Sequence, residues 1–198
     1  MLYPQSIKNL IECYKKLPGI GEKTAERLAL ATMNLDNEII NLFSKSLVDV
    51  KNKIKRCKIC NNLSENDTCE ICKQNDRDKS IICVVDDPKN VIIFEKIGTY
   101  KGVYHVLNGL ISPLDGVNPE DINVNTLIER IKNDQPNEII IAVKPSIEGE
   151  TTALYISKIL EGMDVKVSRI AHGVPLGIDM EYIDSLTLEM ALEDRTSF

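Results

Sequence analysis

Cys57-Lys58-Ile59-Cys60-Asn61-Asn62-Leu63-Ser64-Glu65-Asn66-Asp67-Thr68-Cys69-Glu70-Ile71-Cys72 separates two parts of the chain with different patterns, and it can be read before either. Two C-x2-C turns lie eight residues apart, and each can aim two thiolates at one tetrahedral ion. Four soft ligands leave no position open for a substrate, so the spacing reads as structural Zn²⁺, one ion per chain. The residues between Cys60 and Cys69 are too few and too polar for a core of their own, so the metal supplies their folding energy. Loss of one cysteine should unfold this loop. Disulfides would need an exported chain, and Met1-Leu2-Tyr3-Pro4-Gln5-Ser6 shows no charged and apolar leader; the expected location is the cytoplasm. A thioredoxin-like redox motif would be one C-x2-C beside a βαβ unit, not two in a ribbon. Cys13 and Cys83, on an apolar helix face and in a strand, are expected in the core.

On the N-terminal side the pattern is helical throughout. Ile7, Leu10, Ile11 and Tyr14 recur at helical spacing until Pro18-Gly19 stops them. A second run from Glu22 to about Met33 carries Ala25, Leu28 and Ala29, and a third from Asn37 to about Lys55 carries Ile39, Leu42, Phe43, Leu47 and Val50. On the C-terminal side a polar connector, residues 73–79, precedes alternating elements. Strands are predicted at 80–85, 103–106, 138–143 and 165–170, and helices at 88–97, 125–132 and 149–160. Strands alternating with crossover helices imply a mainly parallel sheet covered on both faces, with ligand sites beyond the strand C-terminal ends.

Charge follows the same division. Residues 1–58 hold eleven Lys and Arg against six Asp and Glu, whereas the rest hold thirteen against twenty-four, within a net charge of −6. A basic front suits a polyanion, and an acidic back suits a metal or a basic protein. With 43% hydrophobic and 27% charged residues and no long apolar run, no membrane span is expected.

Leu17-Pro18-Gly19-Ile20-Gly21 lies between the first two helices, where Gly19 and Gly21 permit a tight turn that exposes amides at the start of the second helix. Lys23 and Arg27 are i and i+4 on that helix, with Lys15 and Lys16 on the preceding one, so cations flank the same phosphate. Such contacts hold a DNA backbone and read no sequence. In the acidic part, Asp86-Asp87 closes the first strand and Glu148-Gly149-Glu150 follows the third. Their carboxylates could hold Mg²⁺ for phosphoryl transfer, or could serve only as turn residues and helix caps. No P-loop occurs. His105 and His172 read as structural, with His172 a lesser candidate for a phosphate or partner contact.

Leu17-Pro18-Gly19-Ile20-Gly21-Glu22-Lys23-Thr24-Ala25-Glu26-Arg27-Leu28, the four cysteines, Tyr100-Lys101-Gly102-Val103-Tyr104-His105-Val106 and Ser112-Pro113-Leu114-Asp115-Gly116 occur in fixed order. Glu148-Gly149-Glu150-Thr151-Thr152-Ala153-Leu154-Tyr155 and Arg169-Ile170-Ala171-His172-Gly173-Val174-Pro175 follow them. Together they resemble the bacterial RecR family of recombination mediators over nearly the whole chain. The resemblance implies a helix-hairpin-helix module (1–56), a four-cysteine zinc finger (57–73), a Toprim domain (80–172) and a C-terminal extension for oligomerisation (173–198). It further implies a non-enzymatic, nucleoid-associated scaffold, a dimer or ring tetramer that works with RecO and RecF to load RecA recombinase at DNA gaps. By the same likeness Lys23 and Arg27 contact DNA, and Asp86, Glu148 and Glu150 form an acidic Toprim face that binds a partner, with Mg²⁺ not essential there. A Mg²⁺-dependent Toprim enzyme acting on the DNA backbone is the rival reading. The zinc site, between a basic and an acidic module, reads as a strut that fixes the angle between them.

Overall fold

The computed structural model describes residues 3–171 and 173–195, and the chain forms two compact units, Met1–Ile54 and Lys55–Phe198. In the first, α1 (Gln5–Lys15) and α2 (Glu22–Thr32) pack around Ile11, Ala25 and Ala29. The two alanines lie one turn apart on α2, and their small side chains admit α1 closely. Cys13, expected in this core, is exposed. It stands two residues past Ile11, which carries it about 200° round the helix, away from the buried stripe. The third helix, α3 (Asn37–Lys53), has no buried residue, and Ile39, Leu42, Phe43, Leu47, Val48 and Val50 are all exposed.

The second unit opens with an antiparallel ribbon, β1 (Lys55–Arg56) and β2 (Leu63–Ser64), followed by the single turn α4 (Glu70–Lys73). Then come β3 (Asp78–Val85), α5 (Pro88–Ile97), β4 (Gly102–Val106), α6 (Val124–Asp134), β5 (Glu138–Ile141), α7 (Ile147–Leu160), β6 (Lys166–Arg169) and α8 (Ser185–Glu193). The sheet order is β4-β3-β5-β6, with every pair parallel. The expected class, an all-α front followed by a parallel α/β sheet, is what the chain adopts.

Alternation along β3 explains the layers. Ile82 and Val84 face α6 and α7, whose Leu127, Ile131, Ile156 and Leu160 close one core. Cys83 and Val85 face α5, whose Val91 and Phe94 close the other. A strand buried on both sides must be apolar at consecutive positions, which is why Ile81-Ile82-Cys83-Val84-Val85 is an unbroken run. The helix α5 is punctuated at both ends: Asp87 accepts the Lys89 amide at 2.8 Å, Pro88 occupies the first turn, and Gly98 leaves it with φ of 74°. From β3 the chain crosses to β4 on one side, whereas from β5 it crosses to β6 on the other. The crevice beyond β3 and β5 is therefore the switch point at which open α/β sheets bind ligands.

As an edge strand, β4 would present unpaired backbone groups. Three of those facing away from β3 are met: the Gly102 carbonyl accepts from Arg77 at 3.3 Å, the Tyr104 carbonyl accepts from Arg130 at 2.7 Å, and the Val106 amide donates to the Cys60 carbonyl at 2.8 Å. The connector at 73–79 is accordingly not a plain linker. Arg77, within it, pairs with Glu95 of α5, which also accepts from the Tyr104 hydroxyl at 2.7 Å. No helix among the described residues is long and apolar enough to cross a membrane.

Candidate nucleic-acid interface and metal centre

The turn between α1 and α2 closes with the Ile20 amide on the Leu17 carbonyl at 3.2 Å, and Gly19 adopts φ of 78°, a left-handed conformation that favours glycine. Gly21 is different. It is extended, with φ of −84°, and a Cβ there would meet nothing within 4 Å, so the fold does not need glycine at this position. Gly21 is also the N-cap of α2, and with no side chain it satisfies none of the amides of the first turn; the first intrahelical bond reaches it only from Ala25, at 2.9 Å. Open space in front of uncapped amides at a helix N-terminus is the geometry that receives an anion.

The flanking cations differ in availability. Lys16, Lys23 and Arg27 are exposed and make no ion pair among the described residues. Lys15 does: its ammonium lies 2.7 Å from Glu22 and 2.9 Å from Glu12. Hydrogen bonds to Glu22, then to Glu12, push its pKa up to about 12. Lys15 thus shares the end of α1 with two carboxylates and is not a free cation.

Cys57, Cys60, Cys69 and Cys72 bring their sulfurs within 4.8 Å of one another, and the first three are buried. A tetrahedral ion with Zn–S bonds of about 2.3 Å holds its sulfurs roughly 3.8 Å apart. Cys60 and Cys69 lie at 3.6 Å, so the donors fit zinc. At that separation the thiols share protons: the hydrogen bond to Cys69 pushes the Cys60 thiol up, while those from Cys60 and Cys72 hold Cys69 down. A bound dication would take all four as thiolates. The Cys69 amide also donates to Cys57 Sγ at 3.3 Å, support typical of a structural ligand set. The finger is joined to the sheet beyond the Cys60–Val106 bond. Asn61 reaches Thr126 of α6 at 3.2 Å, Arg56 bonds Asn108, and Ile71, between two ligands, packs in the core under α5.

At the switch point, Asp86, Asp87, Lys144 and Glu148 line an open hollow of about 390 Å³. Asp86 accepts from Asn90 at 2.8 Å. Ser146 caps α7 through the Gly149 amide at 3.3 Å and donates to Glu148 at 2.7 Å, which holds that carboxyl below its ordinary range. Glu150 does not join this hollow. It pairs with Arg169 of β6 at 3.1 Å, and Arg169 also grips Asp194, just past α8, at 2.8 Å. Of the three acidic residues, then, Asp86 and Glu148 come together and Glu150 turns to a different face. Among the described residues, the four cysteines are the one group of three or more potential ligands with all donor atoms this close. His105 is buried, with Nε2 2.9 Å from the Asn123 carbonyl, and burial lowers its pKa to about 4. His172 lies outside the described residues.

Comparison with known proteins agrees with this anatomy. Family models match in chain order: the RecR helix-hairpin-helix over residues 7–51, the RecR four-cysteine zinc finger over 54–73, the Toprim domain over 80–171 and the RecR C-terminal segment over 173–196. Recombination protein RecR from Staphylococcus aureus strains Newman and MRSA252 is 50% identical over 196 residues, covering 99% of both chains. The chain belongs to the RecR family. Within the RecR zinc-finger segment lie all four cysteines, and within the RecR hairpin segment lie Lys15, Lys16, Gly19, Gly21, Lys23 and Arg27.

Residues that pattern reading missed are mostly long-range partners of motif residues. Arg169, Asp194, Arg130 and Lys144 carry no periodic signal, and only Arg169 lies inside a quoted motif. Tyr100 and Gly102 explain another motif: a Cβ on Gly102 would lie 2.3 Å from the Tyr100 hydroxyl, which donates to the Val103 carbonyl at 2.9 Å.

Proposed function

We propose that this chain is a non-enzymatic DNA-binding scaffold of recombinational repair, gripping DNA backbone with the α1–α2 hairpin. The observation that carries the reading is the uncapped N-terminus of α2 at Gly21, flanked by the exposed cations Lys16, Lys23 and Arg27. Backbone binding of this kind is sequence-independent and falls with salt by about 0.9 in log-log slope per phosphate neutralised. Replacing Lys23 and Arg27 together by Ala is expected to weaken duplex binding about tenfold or more while leaving far-UV circular dichroism unchanged; equal binding sinks the assignment. Gly21→Ser makes a separate demand. Serine is at least as good an N-cap as glycine, so α2 should be as stable or more so, yet its hydroxyl takes an amide and fills the space an anion needs. Thermal melts should hold while DNA affinity falls; affinity that holds as well would deny the amides a role.

The four cysteines hold one structural Zn²⁺ in this reading, and the protein works in the cytoplasm at the nucleoid. The partners are RecO and RecF, the outcome is loading of RecA at gaps, and the acidic face containing Asp86 and Glu148 receives a partner, while Glu150 lies on another face with Arg169. The chain assembles with copies of itself into a dimer or ring tetramer. Support comes from α3, a 17-residue amphipathic helix with Leu42, Phe43, Leu47 and Val50 exposed, and from the exposed Tyr182, Leu186 and Leu192 of the 173–198 extension. Several weak hairpins in one assembly gain affinity by effective concentration. A Mg²⁺-dependent enzyme takes its support from Asp86 and Glu148 at the switch point. Against it, Glu148 bonds its own helix cap and Glu150 is paired with Arg169. Backbone cleavage that disappears in Glu148→Gln would favour the enzyme.

A further inference from the structure

We propose that Lys15 acts on DNA binding through Glu22, by cancelling a carboxylate that would otherwise repel the phosphate, and not as a contact to DNA itself. The inference rests on the hairpin reading above. Glu22 is the first residue of α2, directly after Gly21, and so stands beside the amides that receive the anion. At that position a carboxylate favours the helix, because it lies at the positive end of the helix dipole. The same charge opposes any phosphate approaching the same dipole. Folding and binding therefore make contrary demands on one residue.

Lys15 meets both. It is the last residue of α1, and its ammonium crosses the turn to Glu22 at 2.7 Å while also reaching Glu12 at 2.9 Å. As a lysine it is charged at every pH at which DNA binding would be measured. With Lys15 in place Glu22 still lies against the helix start, but part of its charge is offset where the cations Lys16, Lys23 and Arg27 stand. Lys15 is thus a positioning residue for charge, and the sequence-level expectation of a direct phosphate contact changes accordingly.

The test is a four-protein cycle on the full chain: wild type, Lys15→Ala, Glu22→Gln and Lys15→Ala/Glu22→Gln, titrated with fluorescently labelled duplex DNA at several salt concentrations. One unit charge across about 5–7 Å of water sets the scale, so Lys15→Ala should weaken binding roughly three- to fourfold. Glu22→Gln should bind as well as wild type or better, and the double variant should return to within about twofold of Glu22→Gln. Salt slopes should stay alike across the cycle. A direct contact predicts the opposite: the double variant stays as weak relative to Glu22→Gln as Lys15→Ala is to wild type, and the slope drops by about 0.9. A bridge needed only to hold the helix angle is missing from the double variant too, so absence of rescue overturns the proposal in that case as well. Four equal affinities would overturn it while leaving the hairpin assignment standing. That assignment fails separately if Lys23→Ala/Arg27→Ala binds normally.

Discussion

Zinc removal, by chelation or by Cys57→Ser, is expected to unfold the finger and to open the β4 edge of the sheet. The ligands sit in a segment whose only small core is the cluster itself. Structural Zn²⁺ supplies about 10–16 kcal/mol of apparent folding free energy in isolated finger peptides, more than such a segment can replace. Its loss releases the Cys60 carbonyl from the Val106 amide, Asn61 from Thr126 and Ile71 from the core beneath α5. An edge strand without its cover pairs with other chains. Hydrogen exchange at Val106 should accelerate by orders of magnitude, and light scattering should rise, while the α1–α2 core around Ile11, Ala25 and Ala29 is untouched. A chelated protein with a slow Val106 amide and unchanged size would refute the edge-cover role.

Gly149→Ala is expected to be the most damaging single methyl group in the α/β unit. A Cβ at Gly149 would lie 1.8 Å from the Lys144 carbonyl oxygen, an obstacle of backbone that no rotamer change relieves. To accept it, the first turn of α7 must lift, breaking the Ser146 cap and moving Glu148 out of the switch-point hollow. Overpacking of this kind costs about 1–3 kcal/mol, and the upper end applies where backbone must move. Tm should fall by roughly 3–10 °C in a chain of this size. An unchanged Tm would show that α7 slides freely over Lys144.

Much of this architecture was legible from residue order. The C-x2-C spacing located the four-cysteine cluster, helical spacing located α1 to α3, and the unbroken apolar run of β3 announced a two-sided sheet. What escaped has physical reasons. The ribbon strands β1 and β2 are two residues each, too short to show a period. Helix α8 hides behind Leu186, Leu188, Met190 and Leu192, which alternate like a strand; only Asp184, capping the Thr187 amide at 2.9 Å, marks a helix start. Spacing grouped Glu148 with Glu150, yet helix rotation sends i and i+2 to different faces, and Arg169 supplies the second face with a partner. Lys15 looked like one cation among four because ion pairing across a turn leaves no trace in a linear pattern.

The exposed apolar side of α3 has a consequence for how the protein's stability should be described. A helix of 17 residues with no fully buried residue gains little from its own chain, since helical order in water is marginal without packing. If neighbouring copies supply that packing, part of the folding free energy is mass action, and the protein has no single stability but one that climbs with its own abundance. Dilution then becomes a denaturant that acts on the α1–α3 unit first.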